Sequence, residues 1–186
     1  MIRVAVPGDA HAIGSLKVHA WRAAYAGFMS PEFLDGLDPV SDAENWAEYL
    51  AELPGEHRLW VVQEGDSVAG FCRTGPADRA QDPDLGPRAA EVFGLYVEPG
   101  RIGTGLGRRL FAHAVADLEG RGHAPLCVYA YVPNAQALRF YERAGFVRDG
   151  TTRTADEGGT GLVEARLVKP DSAGNSRAAV ASMRRE

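Results

Sequence analysis

Cysteine is nearly absent from this chain: of 186 residues only Cys72 and Cys127 are cysteines. Both lie in apolar, strand-like segments, where a thiol serves as a small buried hydrophobe, so neither is read as a disulfide partner or a nucleophile. The five histidines, His11, His19, His57, His113 and His123, are spaced without any H-x-x-x-H pair and without cysteine support, and no metal is expected. No apolar run approaches the ~18 residues of a membrane span, and Met1-Ile2-Arg3-Val4 lacks the charged start and apolar core of a signal peptide. A cytoplasmic protein with no membrane partner is therefore expected. Basic residues are also short, 20 Lys and Arg against 25 Asp and Glu for a formal charge of −5. That field opposes binding to nucleic acid and to anionic membranes and mildly favours cationic partners. What is present is enough for one globular core: 45% of residues are hydrophobic, and the length suits one domain.

Periodicity then assigns the elements. Residues 2–6 alternate as a short strand that stops at Pro7-Gly8, and Asp9 caps a helix to about Ala26. Its apolar positions Ile13, Leu16, Ala20 and Ala24 step by three and four, with Trp21 and Tyr25 on the opposite shoulder. Ser30-Pro31 begins a short helical turn, and Ser41 with Glu44 reads as the capping box of a helix through about Leu50. Residues 59–63 and 68–73 form an antiparallel hairpin around Glu64-Gly-Asp-Ser67. The proline-rich stretch 75–88 reads as a mobile surface loop. A strand over 89–97 leads into a glycine run, and Leu106, Leu110, Ala114 and Leu118 mark one buried face of the helix that follows. Residues 126–132 form a strand, Asn134 caps a helix ending at Gly145, and strands over 147–154 and 161–168 complete a mixed α/β sandwich. From Pro170 onward small and charged residues predict a disordered tail, leaving a domain over residues 1–170.

Between the strand over 89–97 and its helix stands Arg101-Ile102-Gly103-Thr104-Gly105-Leu106-Gly107. Alternate glycines let successive N–H groups approach an anion, and a helix N-terminus adds its partial positive charge. The spacing G-x-G-x-G fits neither the Rossmann G-x-G-x-x-G nor a P-loop, since Arg108 and Arg109 follow in place of Lys-Ser or Lys-Thr. A second block, Asn134-Ala-Gln-Ala137-Leu-Arg-Phe140-Tyr141-Glu-Arg-Ala-Gly145-Phe146, follows the next strand. With these two blocks in this order, the chain resembles the GNAT superfamily of acetyl-CoA-dependent N-acetyltransferases, whose second block reads N-x-x-A-x-x-F-Y-x-x-x-G-F.

The resemblance implies a mostly antiparallel central sheet flanked by helices and transfer of an acetyl group from acetyl-CoA to a primary amine by direct attack in a ternary complex. It implies that Leu95, Tyr96 and Val97 pair with the pantetheine arm of coenzyme A and that one of their N–H groups polarises the thioester carbonyl. Gly94 is consistent with a local bulge. Ile102, Gly103, Thr104, Gly105, Leu106 and Gly107 would hold the pyrophosphate, with Arg101, Arg108 or Arg109 adding charge or simply facing solvent. Asn134, Ala137 and Phe140 would border the cofactor, Asn134 capping its helix with its oxygen and offering its nitrogen. Tyr141 is the candidate acid for the departing thiolate. Glu91, near the place of the catalytic glutamate in the histone-acetyltransferase branch, is the candidate base, acting directly or through water; a solvent-facing strand residue is the alternative. Trp21, Tyr25 and Phe28 either line an acceptor pocket or pack the core, and Asp78, Asp82 and Asp84 fit a cationic small-molecule or peptide amine. Ile102 departs from the family's Arg or Gln, and loss of a charged hydrogen bond worth roughly 1.5 to 3 kcal/mol would weaken cofactor binding tenfold or more. A homodimer is compatible with the resemblance. A non-catalytic acetyl-CoA sensor, or an interaction module that only keeps the fold, stands as the rival reading.

Overall fold

The computed structural model describes residues 1–155 and 161–170, so the expected C-terminal tail and the tip of the last hairpin lie outside the described residues. Seven strands form one sheet in the order β1 (Ile2–Val4), β2 (Arg58–Glu64), β3 (Ser67–Pro76), β4 (Ala90–Val97), β5 (Leu126–Tyr131), β7 (Leu162–Lys169), β6 (Val147–Ala155). All neighbours run antiparallel except β4 and β5, whose connection passes over the sheet through α4 (Leu106–Gly120). This parallel pair is central and buried, which is why β5 carries no alternation: its six residues are all buried.

Helices cover both faces. On one, Leu106, Leu110, Ala114 and Leu118 of α4 pack with Leu138 of α5 (Ala135–Arg143) onto Val92, Leu126 and Val128. On the other, Ile13, Leu16 and Ala20 of α1 (Ala10–Tyr25) meet Leu59, Val61 and Phe71. A third cluster joins Trp21 and Tyr25 to Met29, Leu34 and Tyr131, with Leu34 supplied by α2 (Pro31–Asp35). Ala24, expected on the buried stripe, is exposed and Trp21 and Tyr25 are buried instead, because the last turns of the helix pack against Met29, Leu34 of α2 and Tyr131 of β5.

Two local readings change. The helix after α2 is α3 (Pro39–Ala51), starting ahead of the expected Ser41 box: the Asp38 carboxylate accepts from the N–H groups of Val40 and Ser41, and Pro39 takes the first helical position. The loop after β3 is anchored, since Asp82 is 2% exposed within it.

Gly14 sets the approach of α3 to α1. A Cβ there would sit 2.6 Å from the Ala43 nitrogen and 3.0 Å from the Pro39 oxygen, both backbone atoms that cannot swing away. Gly14→Ala should therefore destabilise the fold by about 1 to 3 kcal/mol despite alanine's better helix propensity, a fall of several degrees in Tm by calorimetry.

Candidate active site

The β4–β5 ladder consists of Ala90↔Leu126, Glu91↔Cys127 and Val92↔Val128 and then stops. Beyond it the strands part, and a groove of about 1350 Å³ opens between them. Residues 90–92 are buried, whereas 93–97 are partly exposed along its wall. A bulge produces this turn of the strand: Arg73 faces Gly94 and Thr74 faces Val92, leaving Phe93 as the extra residue. Gly94 is needed there, because a Cβ would come within 2.8 Å of the Tyr96 ring. Leu95, Tyr96 and Val97 all border the groove.

One end of the groove is built for an anion. Gly103 and Gly105 have φ of +85° and +84°, and α4 begins directly after them without a side-chain cap. Among the described residues, the N–H groups of Gly103, Gly105, Leu106, Gly107 and Arg108 have no protein acceptor; the ladder resumes with Arg109 donating to Gly105. Five free donors at a helix N-terminus fit a diphosphate, the group that acetyl-CoA would place here. Gly107 lets the helix start lie on β4, since a Cβ would stand 3.3 Å from Val97 Cγ2. Thr104 turns inward to its own loop, its N–H and hydroxyl both donating to the Arg101 carbonyl.

The side-chain cations divide. Arg101 pairs with Glu64 at 3.1 Å, and Arg109 is not on the groove wall. Arg108 is on it, and so are Arg139 and Arg143 of α5, which the motif comparison did not single out. Their four-residue spacing, placing both on one helical face, was the available signal. Ile102 lies on the wall, 53% exposed. Asn134 caps α5 through its oxygen, 3.1 Å from the Ala137 nitrogen, and both residues border the groove with Phe140.

Acid–base groups occupy the middle and far end. Tyr141 lines the groove yet is 6% exposed, packed against Phe111 and Phe140. Burial, with a smaller contribution from Cys72, pushes its phenol well above the usual range, so it keeps its proton. Glu91 is 1% exposed, which removes the solvent-facing alternative for it. Burial lifts its carboxyl to about 7, Arg153 at 3.2 Å opposes that rise, and Asp82 adds to it. Asp82, Glu91 and Cys127, all buried, bring their carboxylate oxygens and thiol within 4.8 Å of one another. Arg153 spans Glu91 and Glu164 while stacked 3.7 Å over the Tyr129 ring.

Sequence reasoning gave Asp82 and Asp84 to the acceptor. The structure spends both on Arg166, with Tyr129 also donating to Asp82 at 2.5 Å. Asp78 alone of the three borders the groove. Trp21 and Tyr25 border the groove and are packed in the third cluster. Phe28 stacks on Tyr25 and Tyr131 and is not on the wall. Among the described residues no helix is long and apolar enough to cross a membrane.

Comparison with known proteins places this geometry. Residues 18–146 match the model of the acetyltransferase (GNAT) family. A probable N-acetyltransferase of Mycobacterium tuberculosis is 28% identical over 156 residues, covering 82% of this chain and 83% of that relative. The mycothiol acetyltransferase of Acidothermus cellulolyticus is 37% identical over 114 residues, 61% of this chain but only 32% of that relative, so this chain corresponds to about a third of the larger protein. Among solved structures, the PaiA N-acetyltransferase of Thermoplasma acidophilum, determined with coenzyme A, superposes with a TM-score of 0.68 at 17% identity, over 92% of this chain and 98% of its own. The matched residues run through the bulged strand, the glycine cradle and the helix carrying Tyr141, and the chain belongs to the GNAT family of acetyl-CoA-dependent acetyltransferases.

Proposed function

We propose that this chain transfers the acetyl group of acetyl-CoA to a primary amine in a ternary complex, with Glu91 as the base and Tyr141 as hydrogen-bond donor to the departing sulfur. The observation that carries this reading is a single groove with five unpaired N–H groups at one end and a buried carboxyl lifted to about 7 beyond it. When bound, acetyl-CoA supplies a thioester whose carbonyl carbon accepts the amine. Residues 95–97 would align its arm along β4, and the cradle from Gly103 to Arg108 would hold its diphosphate. A protonated amine with pKa near 10.4 must lose a proton before it attacks, and a carboxyl near 7 accepts that proton far better than an ordinary glutamate. Tyr141 holds its proton more tightly than a thiol of pKa near 8.5, so its contribution is a hydrogen bond to the sulfur's growing charge with little proton movement.

Direct transfer is favoured over an acyl-enzyme by the cysteines. Cys72 and Cys127 are fully buried, and burial raises both thiols, so neither offers a thiolate to the groove. Initial-velocity lines for acetyl-CoA and amine should then intersect rather than run parallel. Acetyl-CoA at a hundred times its Kd should add about 2.7 kcal/mol, a rise of several degrees in Tm. Tyr141→Phe should keep that rise while lowering kcat about a hundredfold in a thiol-release assay. An unmoved Tm at large excess would remove the acetyltransferase reading, and a rise with no thiol release from any amine would favour a sensor.

A further inference from the structure

Arg73 is partly buried on the wall of the groove. Among the described residues it makes no ion pair and no hydrogen bond. What holds it is aromatic: its guanidinium lies 4.7 Å over the Phe93 ring and 5.4 Å over Tyr49. The groove's other partly buried arginine, Arg153, is saturated by Glu91 and Glu164. Arg108, Arg139 and Arg143 are exposed, where unpaired arginines are ordinary. Ring faces satisfy a cation's charge in part but accept none of its five N–H donors, which match a carboxylate in bidentate fashion.

The position is as informative as the missing partner. Arg73 pairs with Gly94 across the bulge, one residue before the 95–97 segment expected to align the thioester. A strand rises about 3.3 Å per residue. An anion held at Arg73 would thus lie close to the point of acetyl transfer, a few bonds from the attacking nitrogen. The bulge itself presents the site, because Phe93, the extra residue, supplies the ring under the guanidinium.

We infer that the acceptor is a small amine carrying a carboxylate near its nitrogen, an amino acid in chemical class, and that Arg73 is the residue that selects it. This rests on the acetyltransferase reading above and narrows it. The acidic loop had pointed to a purely cationic amine, but two of its carboxylates are neutralised by Arg166 and one stays at the groove.

The test is a thiol-release assay on matched sets: L-amino acids, their α-amides and the corresponding decarboxylated amines, with the wild-type protein, Arg73→Gln and Arg73→Lys. The wild type should prefer some carboxylate-bearing member over its amide by at least tenfold in kcat/KM, chiefly through KM. Arg73→Gln should bring that ratio close to one, and Arg73→Lys should restore part of it. A wild-type ratio at or below one overturns the inference even if neither variant folds. So does a ratio that Arg73→Gln leaves intact while circular dichroism shows a native fold. A thermal shift with acetyl-CoA, run alongside, separates the two levels. Turnover of amides or plain amines only, or cofactor binding without turnover of any member, retires Arg73 as selector and leaves the donor site standing. No shift and no turnover retires the acetyltransferase reading and this inference together.

Discussion

Glu91→Gln is expected to lower kcat/KM by about 10²- to 10⁴-fold, the usual contribution of a positioned general base, while acetyl-CoA still raises the Tm. Gln keeps the shape and cannot take a proton. A base works when ionised, so wild-type activity should climb as pH rises through about 7, where burial has placed this carboxyl. The variant should lose that limb and retain only the dependence set by the acceptor's own amine. Stability runs the other way. The folded state holds the Glu91 proton more tightly than the unfolded chain, where the value is 4.5. Between 4.5 and about 7 the folded state therefore binds more protons, and the fold loses stability as pH rises through that window, by up to about 3 kcal/mol. Glu91→Gln should accordingly be more stable than wild type at pH 8 and no more stable at pH 4. Thermal melts at the two pH values check the sign. A variant that loses activity without a changed pH profile would make Glu91 a structural residue.

Part of this site was readable in sequence and part was not, according to how far apart along the chain its members lie. The cradle is local: Gly103 and Gly105 adopt positive φ, Gly107 lies against Val97, and α4 starts at once, all between Val97 and Gly107. Asn134 and Tyr141 sit on one short helix, where capping and periodicity fix both. The sheet's helical cover also followed from periodicity, since α4 keeps the expected face from Leu106 to Leu118. The electrostatic surroundings of Glu91 are different in kind. Arg153 reaches it across 62 positions, and Arg166 reaches Asp82 across 84, so no window of sequence contains either pair. An acidic, proline-rich loop looks solvated by composition, and only the fold shows that its Asp82 is buried. Arg73 was invisible for a related reason. In a strand it reads as an outward polar residue, and the absence of a carboxylate partner is a property of three-dimensional neighbours alone.

The largest stability effect is expected from Arg166→Met, at about 3 to 5 kcal/mol, the cost of breaking a buried ion pair and leaving one charge behind. Arg166 is 1% exposed on β7 and binds Asp82, Asp84 and Asp149 together. Asp82 is nearly as buried, and one of its oxygens already lacks a hydrogen-bond partner, so losing Arg166 would leave its charge held only by the Tyr129 hydroxyl. For a chain of this size the Tm should fall by roughly 6 to 20 °C. The loss should be recovered in large part by Arg166→Met combined with Asp82→Leu, because an apolar pair of similar volume removes the stranded charge. Activity should not follow stability in that double variant. Burial and, to a lesser degree, Asp82 hold the Glu91 carboxyl near 7 against Arg153, so removing Asp82 lowers the Glu91 value and shifts the acidic limb of the rate profile below 7. Urea melts and pH–rate profiles on the single and double variants separate the two effects. A single variant that loses less than about 1 kcal/mol would mean that Asp82 finds water or another donor when Arg166 is gone, and a recovered double variant with an unmoved limb would show that Glu91 titrates independently of the loop above it.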